Sequence, residues 1–204
     1  RADIERTLTD SIRARFDLRS RFSGLVDRMA RLQQQRMKSR TALSAFSQMT
    51  STTAGSATLQ VAYWASRVQH GPADSVAGFR TRLARVRAVP RDLERRFLAL
   101  SFDDIARAYG PGHAFTRAVL GGRSAQDAAD ALLAATALVD TAGVRRAAAG
   151  ELAADPVMKL MSDLMPTVLS FEAEQARIGA EESALAAQIG RARFEVYGPS
   201  IPPD

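Results

Sequence analysis

Two histidines, His70 and His113, and no cysteine are all that the chain offers for imidazole or thiol chemistry. The missing thiol excludes disulfide scaffolds, Cys-ligated zinc, iron–sulfur clusters and cysteine nucleophiles. Each histidine stands beside Gly and Pro without a second His at i+4, so both read as solvated loop residues and neither as a metal ligand. Ser124 is the best-placed hydroxyl, but Gly122-Arg123-Ser124 lacks the second glycine of a nucleophile elbow and opens an ordinary helix, where a serine serves as a cap. The carboxylate pairs Asp103/Asp104 and Glu181/Glu182 are adjacent, which on a helix turns them about 100° apart, away from a shared substrate and toward solvent. Gly121-Gly122 has no Lys-Ser or Lys-Thr after it and makes no phosphate cradle. The sequence therefore assigns no catalytic, cofactor-binding or metal-ligating residue and calls for no cofactor.

The charge is the remaining chemical signal. A net charge of +6 and a pI near 10.6 raise the question of a polyanionic partner. Among the 28 basic residues only Lys38 and Lys159 are lysine, a bias that, with abundant alanine, fits a GC-rich genome as well as a binding surface. The arginines gather over Arg13–Arg40 and Arg80–Arg96. In the second run Arg80, Arg82, Arg85 and Arg87 crowd one or two turns, yet no aromatic side chains interleave and no helix-turn-helix spacing precedes them. Ion pairs with the carboxylates of an adjoining domain are the expected use, with Asp92, Glu94 and Asp103 neutralising part of the run. No nucleic-acid partner is expected.

The elements that carry these residues are helices. Apolar positions recur at helical spacing throughout, and no alternating β-branched or aromatic run marks a strand, so the predicted class is all-α with long antiparallel helices. With 204 residues, 25% charged and 46% hydrophobic, the chain suits one globular domain with a real core. No apolar run reaches the ~20 residues of a membrane span, and none resembles a signal segment. Ile4, Leu8, Ile12 and Phe16 predict a short helix. Leu18, Phe22, Leu25, Met29 and Leu32 predict one long helix capped by Asp17. The polar stretch Thr50–Ser56 interrupts, and a helix through Leu59 and Tyr63 ends by Gly71-Pro72, with Asp74–Gly78 as a surface connection. Pro90 is expected to begin a helix that Gly110 ends, followed by a short one over Phe115–Leu120. Ser124 and Thr141 are expected to cap helices over Ala125–Leu138 and up to Gly150. Asp155-Pro156 starts a long helix through Ile189 that Pro166 kinks. Residues 198–204, Gly-Pro-Ser-Ile-Pro-Pro-Asp, are non-helical and read as an exit segment from a helical domain spanning 1–197, at a truncation boundary.

Three stretches carry a resemblance: Leu120-Gly-Gly-Arg-Ser-Ala-Gln-Asp-Ala-Ala129, then Asp155-Pro-Val-Met158, then Arg191-Ala-Arg-Phe-Glu-Val-Tyr-Gly198 followed by Pro202-Pro-Asp204. In order and spacing the chain resembles the helical domain of the bacterial dipeptidyl-peptidase 7 and dipeptidyl-peptidase 11 family of serine exopeptidases. The likeness is carried by residues 91–204; over residues 1–90 it rests on helix lengths and the Leu59–Val68 helix. It implies a parent enzyme with a chymotrypsin-like double β-barrel, a peptide substrate and a helical insertion that covers the active-site cleft, with catalytic His and Asp before the insertion and Ser after it. The tail would then lead into the missing barrel. The resemblance further implies a periplasmic or secreted enzyme of a Gram-negative bacterium. Its helical domain holds the substrate's amino terminus with an Asn. This chain contains no Asn, so no site residue is carried over. On this reading the chain alone is inactive, its partners are its own barrel and the peptide, with a homodimer left open, and the long helix from Pro156 serves as a lever. A free-standing helical scaffold or adaptor is the alternative, and an arginine-rich nucleic-acid binder ranks after it.

Overall fold

The computed structural model describes residues 2–51, 54–138 and 140–198. Among them are eleven helices and no strand, as the apolar periodicity predicts: α1 (Ala2–Ala14), α2 (Phe16–Phe22), α3 (Leu25–Lys38), α4 (Arg40–Thr50), α5 (Ala57–His70), α6 (Val76–Arg85), α7 (Arg91–Tyr109), α8 (Ala114–Leu120), α9 (Ala125–Ala135), α10 (Thr141–Ala148) and α11 (Pro156–Tyr197). No helix among the described residues is long and apolar enough to cross a membrane. The chain divides into two compact units, one of Arg1–Ser39 with Phe171–Asp204, the other of Arg40–Ser170. Of the exit segment only Gly198, with φ +65°, is described; residues 199–204 lie outside the described residues.

The terminal unit is built from α1, α2, α3 and the distal part of α11. Leu8, Ile12, Leu18, Phe22, Leu25 and Leu32 bury themselves with Leu185 and Ala192, and Met29, Ile189, Val196 and Tyr197 pack at the edge of this cluster. The predicted single helix over Leu18–Leu32 is in fact two. Gly24 takes φ +72°, a left-handed conformation cheap only for glycine, and turns the chain between α2 and α3 while keeping the apolar stripe on the core side. Asp17 is not the cap: Arg15 holds the N-cap position, and Asp17 sits in the first turn of α2, where its carboxylate accepts from Arg15 Nη2 at 2.9 Å. Phe16, predicted to extend the α1 stripe, is 78% exposed, because α1 has already ended at Ala14. Cross-helix bonds mark the direction of packing. Arg21 forks onto both oxygens of Glu195 at 2.8 and 2.7 Å, Arg36 donates to Glu182 at 2.5 Å, and Gln175 donates to Ser39 at 3.1 Å, so α2–α3 runs antiparallel to α11.

In the central unit α5 is the axis. Every residue from Thr58 to Ser66 is buried, so this helix has no solvent face in its middle, and α4, α6, α7 and α10 pack around it. The second hub is α7, which packs on α4, α8 and α9 through Leu98, Phe102 and Ile105. Two helices escaped the sequence reading. α4 intersperses its apolar Ala45, Phe46 and Met49, all buried, with Ser, Thr and Gln, and α6 begins at Val76 inside the supposed surface connection. Boundaries elsewhere move by little: Pro90 is the N-cap and not the first residue of α7, and α9 stops at Ala135. Ser124 does cap α9, its Oγ accepting from Asp127 N at 3.1 Å and donating to the Asp127 carboxylate at 2.6 Å.

Candidate functional site

Two buried carboxylates organise the central unit. Glu94, on the first turn of α7, is 5% exposed and reaches back to the start of α5. Its Oε1 accepts from Ser56 Oγ at 2.5 Å and Thr58 N at 2.9 Å, and its Oε2 accepts from Ala57 N at 2.9 Å. Ser56 Oγ in turn accepts from Leu59 N at 3.1 Å, so the orphan amides of the first turn of α5 are met by two side chains from two elements. Asp155 does the same work at α11. It accepts from Val157 N at 2.9 Å and, across to the end of α9, from Thr136 Oγ1 and Ala137 N at 3.0 and 2.7 Å. The expectation that Glu94 neutralises the neighbouring arginine run is therefore corrected, because its oxygens are turned inward to backbone donors.

Above Glu94 lies a groove of about 700 Å³. Its walls come from the starts of α5, α7 and α10, the end of α6 and the connection Val86–Val89. Val61, Leu83, Leu133, Leu138 and Val144 contribute the apolar lining, and Arg87, Arg91 and Arg145 stand exposed around it. Arg91 donates to the Leu133 carbonyl at 3.2 Å and Arg87 to the Ala84 carbonyl at 3.1 Å, contacts that orient the guanidinium groups without cancelling their charge. Asp140 is the one exposed carboxylate here, and its Oδ1 caps α10 through Gly143 N at 2.7 Å. The residue predicted for that cap, Thr141, is the first residue of the helix. Gly143 is required on steric grounds: a Cβ there would lie 1.7 Å from the Ala137 carbonyl oxygen.

The other residues singled out in the sequence do not converge. His70 ends α5 and is exposed. His113 is an N-cap, its Nδ1 accepting from Phe115 N at 3.2 Å, with its ring 4.8 Å from that of Tyr109. Tyr109 itself lies against Phe46 and Phe115, and burial pushes its phenol above the ordinary value. Asp104 pairs with Arg107 at 2.5 Å. Glu181 and Glu182, expected to be solvated, are half-buried and ion-paired with Arg177 and Arg36. Of the second arginine run, Arg82 stacks over Trp64 at 5.1 Å and Arg95 bridges Asp92 and Asp130, while Arg87 and Arg91 go to the groove. No group of three or more His, Cys, Asp or Glu among the described residues could hold a metal ion. Sequence reasoning missed Arg145 and Asp140. The Asp-Thr-Ala-Gly start of α10 was a usable signal for the latter, since Asp outranks Thr at an N-cap.

Fold and residue chemistry together define an all-α module in which, among the described residues, neither histidine hydrogen-bonds a carboxylate or a hydroxyl. Its family is a peptide-hydrolase family. The chain belongs to peptidase S46, the dipeptidyl-peptidase 7/11 family, whose model matches residues 1–204, the whole chain. The resemblance drawn from the Leu120–Ala129, Asp155–Met158 and Arg191–Gly198 stretches is thereby borne out. No curated protein and no solved structure matches the chain.

Proposed function

We propose that the chain is the helical insertion of a serine-type dipeptidyl peptidase, and that it covers and gates the cleft of the parent enzyme. The carrying observation is the match of a dipeptidyl-peptidase family model to all 204 residues of a chain whose described residues are helical, with no strand from which a catalytic barrel might be built. A cap acts by shape. It closes one end of the cleft, stops a peptide from threading through and leaves room for two residues before the scissile bond, so cleavage releases dipeptides from amino termini. A hinged insertion also excludes water when it closes. On this reading the chain alone is inactive, its first partner is the parent's own β-barrel and its second the peptide, and the enzyme works in the periplasm or outside the cell. Exposed Leu93 and Leu100, on the same side of α7, supply apolar surface for the barrel to cover.

Release of dipeptides from chromogenic substrates by the chain alone and by the full reading frame that contains it tests the proposal. Activity confined to the full-length protein, and lost on replacing its downstream nucleophilic Ser, is the expected result. Dipeptide release by the chain alone would overturn the cap role. A full reading frame that releases none would leave a helical scaffold.

A further inference from the structure

The groove above Glu94 has three properties that together select a ligand. Its accessible rim is cationic. Arg87, Arg91 and Arg145 are exposed, whereas Glu94 is spent on backbone donors beneath them and Asp140 gives one oxygen to Gly143 N. The Arg87 and Arg91 guanidinium groups, held by carbonyl contacts, are pre-oriented to fork onto carboxylates. Its lining is apolar, with Val61, Leu83 and Leu138 able to receive a hydrophobic side chain, and its volume of about 700 Å³ is that of a site for a small ligand or a short peptide.

The third property is the backbone of the wall. The connection between α6 and α7 has open backbone at both ends, with Val86 at φ −61°, ψ 129° and Pro90 at φ −52°, ψ 141°, and forms neither helix nor turn between them. Among the described residues the N–H groups of Arg87, Ala88 and Val89 make no hydrogen bond. Alternate amides of an extended segment share one edge, so the Arg87 and Val89 N–H groups are the pair that a second extended chain beside the apolar groove can meet. We infer that this groove of the central unit binds an extended acidic peptide segment, which pairs its main chain with residues 87–89, places carboxylates on Arg87, Arg91 and Arg145, and buries an apolar side chain on Val61 and Leu83. The inference does not depend on the peptidase reading, and its test uses no catalytic activity.

Fluorescence anisotropy of the full chain with three labelled hexapeptides is the experiment: alternating Leu-Glu, alternating Leu-Lys, and the Leu-Glu peptide with N-methylated amides. The Leu-Glu peptide is expected to bind at least about tenfold more tightly than either of the others, with affinity falling as salt rises. The double variant Arg87→Glu/Arg145→Glu should lose about tenfold or more; its helical content and Trp64 emission should stay as in the parent chain, because both side chains are exposed. Asp140→Asn keeps a cap, since Asn and Asp cap equally well, and should tighten binding of the Leu-Glu peptide several-fold. Equal binding of the acidic and basic peptides, full affinity for the N-methylated one, or indifference to both sets of substitutions would overturn the inference. So would an oligonucleotide that displaces the acidic peptide at lower concentration than unlabelled Leu-Glu peptide does.

Discussion

The two units solve the same problem with opposite electrostatics. In the terminal unit two ion pairs between helices, Arg21–Glu195 and Arg36–Glu182, lie at the surface with their arginines exposed, over an apolar seam that runs from Leu8 to Ala192. In the central unit the decisive polar contacts are buried: Glu94 and Asp155 each tie the start of one helix to a second element. An exposed ion pair contributes between nothing and about 1 kcal/mol and is screened by salt. A buried carboxylate that accepts from several backbone amides contributes mainly because its removal strands those donors without water, at about 1–3 kcal/mol each. Register in one unit is thus set by apolar packing, and in the other by polar groups that have no alternative partner.

This contrast can be broken most directly at its buried side. Glu94→Ala should cost the central unit about 3 kcal/mol, since Ser56, Ala57 and Thr58 lose their acceptor; Asp155→Ala should cost a similar amount. Trp64 is the chain's one tryptophan and is 4% exposed in the central unit, so urea unfolding followed by its emission reads this unit alone. A loss below about 1 kcal/mol would equate these caps with the surface pairs and end the distinction. Gly143→Ala should follow at about 2 kcal/mol, because α10 must retreat from the Ala137 carbonyl, and the same emission measures it. On the exposed side, Arg21→Ala should lower stability by less than about 1 kcal/mol by far-ultraviolet circular dichroism and leave Trp64 emission in place, and the difference from the parent chain should shrink in high salt.

A smaller effect comes from acid. Arg15 beside Asp17, and Arg177 beside Glu174, hold these two carboxyls of the terminal unit below the usual range, and Arg177 is correspondingly raised by Glu174. A carboxyl whose folded value is depressed contributes stability that is present above its unfolded value near 4 and is lost as pH falls through the folded value. Glu174→Gln should therefore lower stability slightly at neutral pH and leave it unchanged once pH has fallen below the folded value, so that the acid limb of the stability curve flattens. The smallest effect is at the opposite end. Tyr109 is raised by burial, so its neutral form is the folded one, and stability is present below its unfolded value near 10 and lost as pH rises through the folded value. Ultraviolet titration should find this phenol ionising above the ordinary tyrosine value.

Much of the fold was legible because helices announce themselves by period. The stripes from Leu8 to Leu32, the Gly110 and Gly150 stops, the Ser124 cap and the Asp155-Pro156 start all follow from local chemistry. The break at Gly24 was not legible, since a stripe continues across a turn when both helices face the same core. α5 showed only Leu59 and Tyr63 as its pattern because a helix buried on all sides has no polar face to reveal a period. The groove was illegible for a different reason. Arg87, Glu94, Asp140 and Arg145 are brought together by tertiary packing, and no spacing in the chain distinguishes Glu94 turned inward from Asp92 turned out. The family, in contrast, was readable from three short stretches, because exit segments and caps are local.

One consequence of α11 reaches past its packing. Pro166 supplies no amide to the carbonyl of Ser162, and it does so on an exposed flank where water can take the vacant acceptor. Further along, Gly179 and Gly190 each weaken the helix by about 1 kcal/mol relative to alanine and face open space. A helix of 42 residues with one missing rung and two soft ones is not a single cooperative rod. Its amides should exchange with deuterium in blocks, slowest over Leu160–Leu164, where Leu160, Met161 and Leu164 are buried, and faster beyond Pro166 and at the glycines. The longest element of the chain is then also the one that can open piecewise.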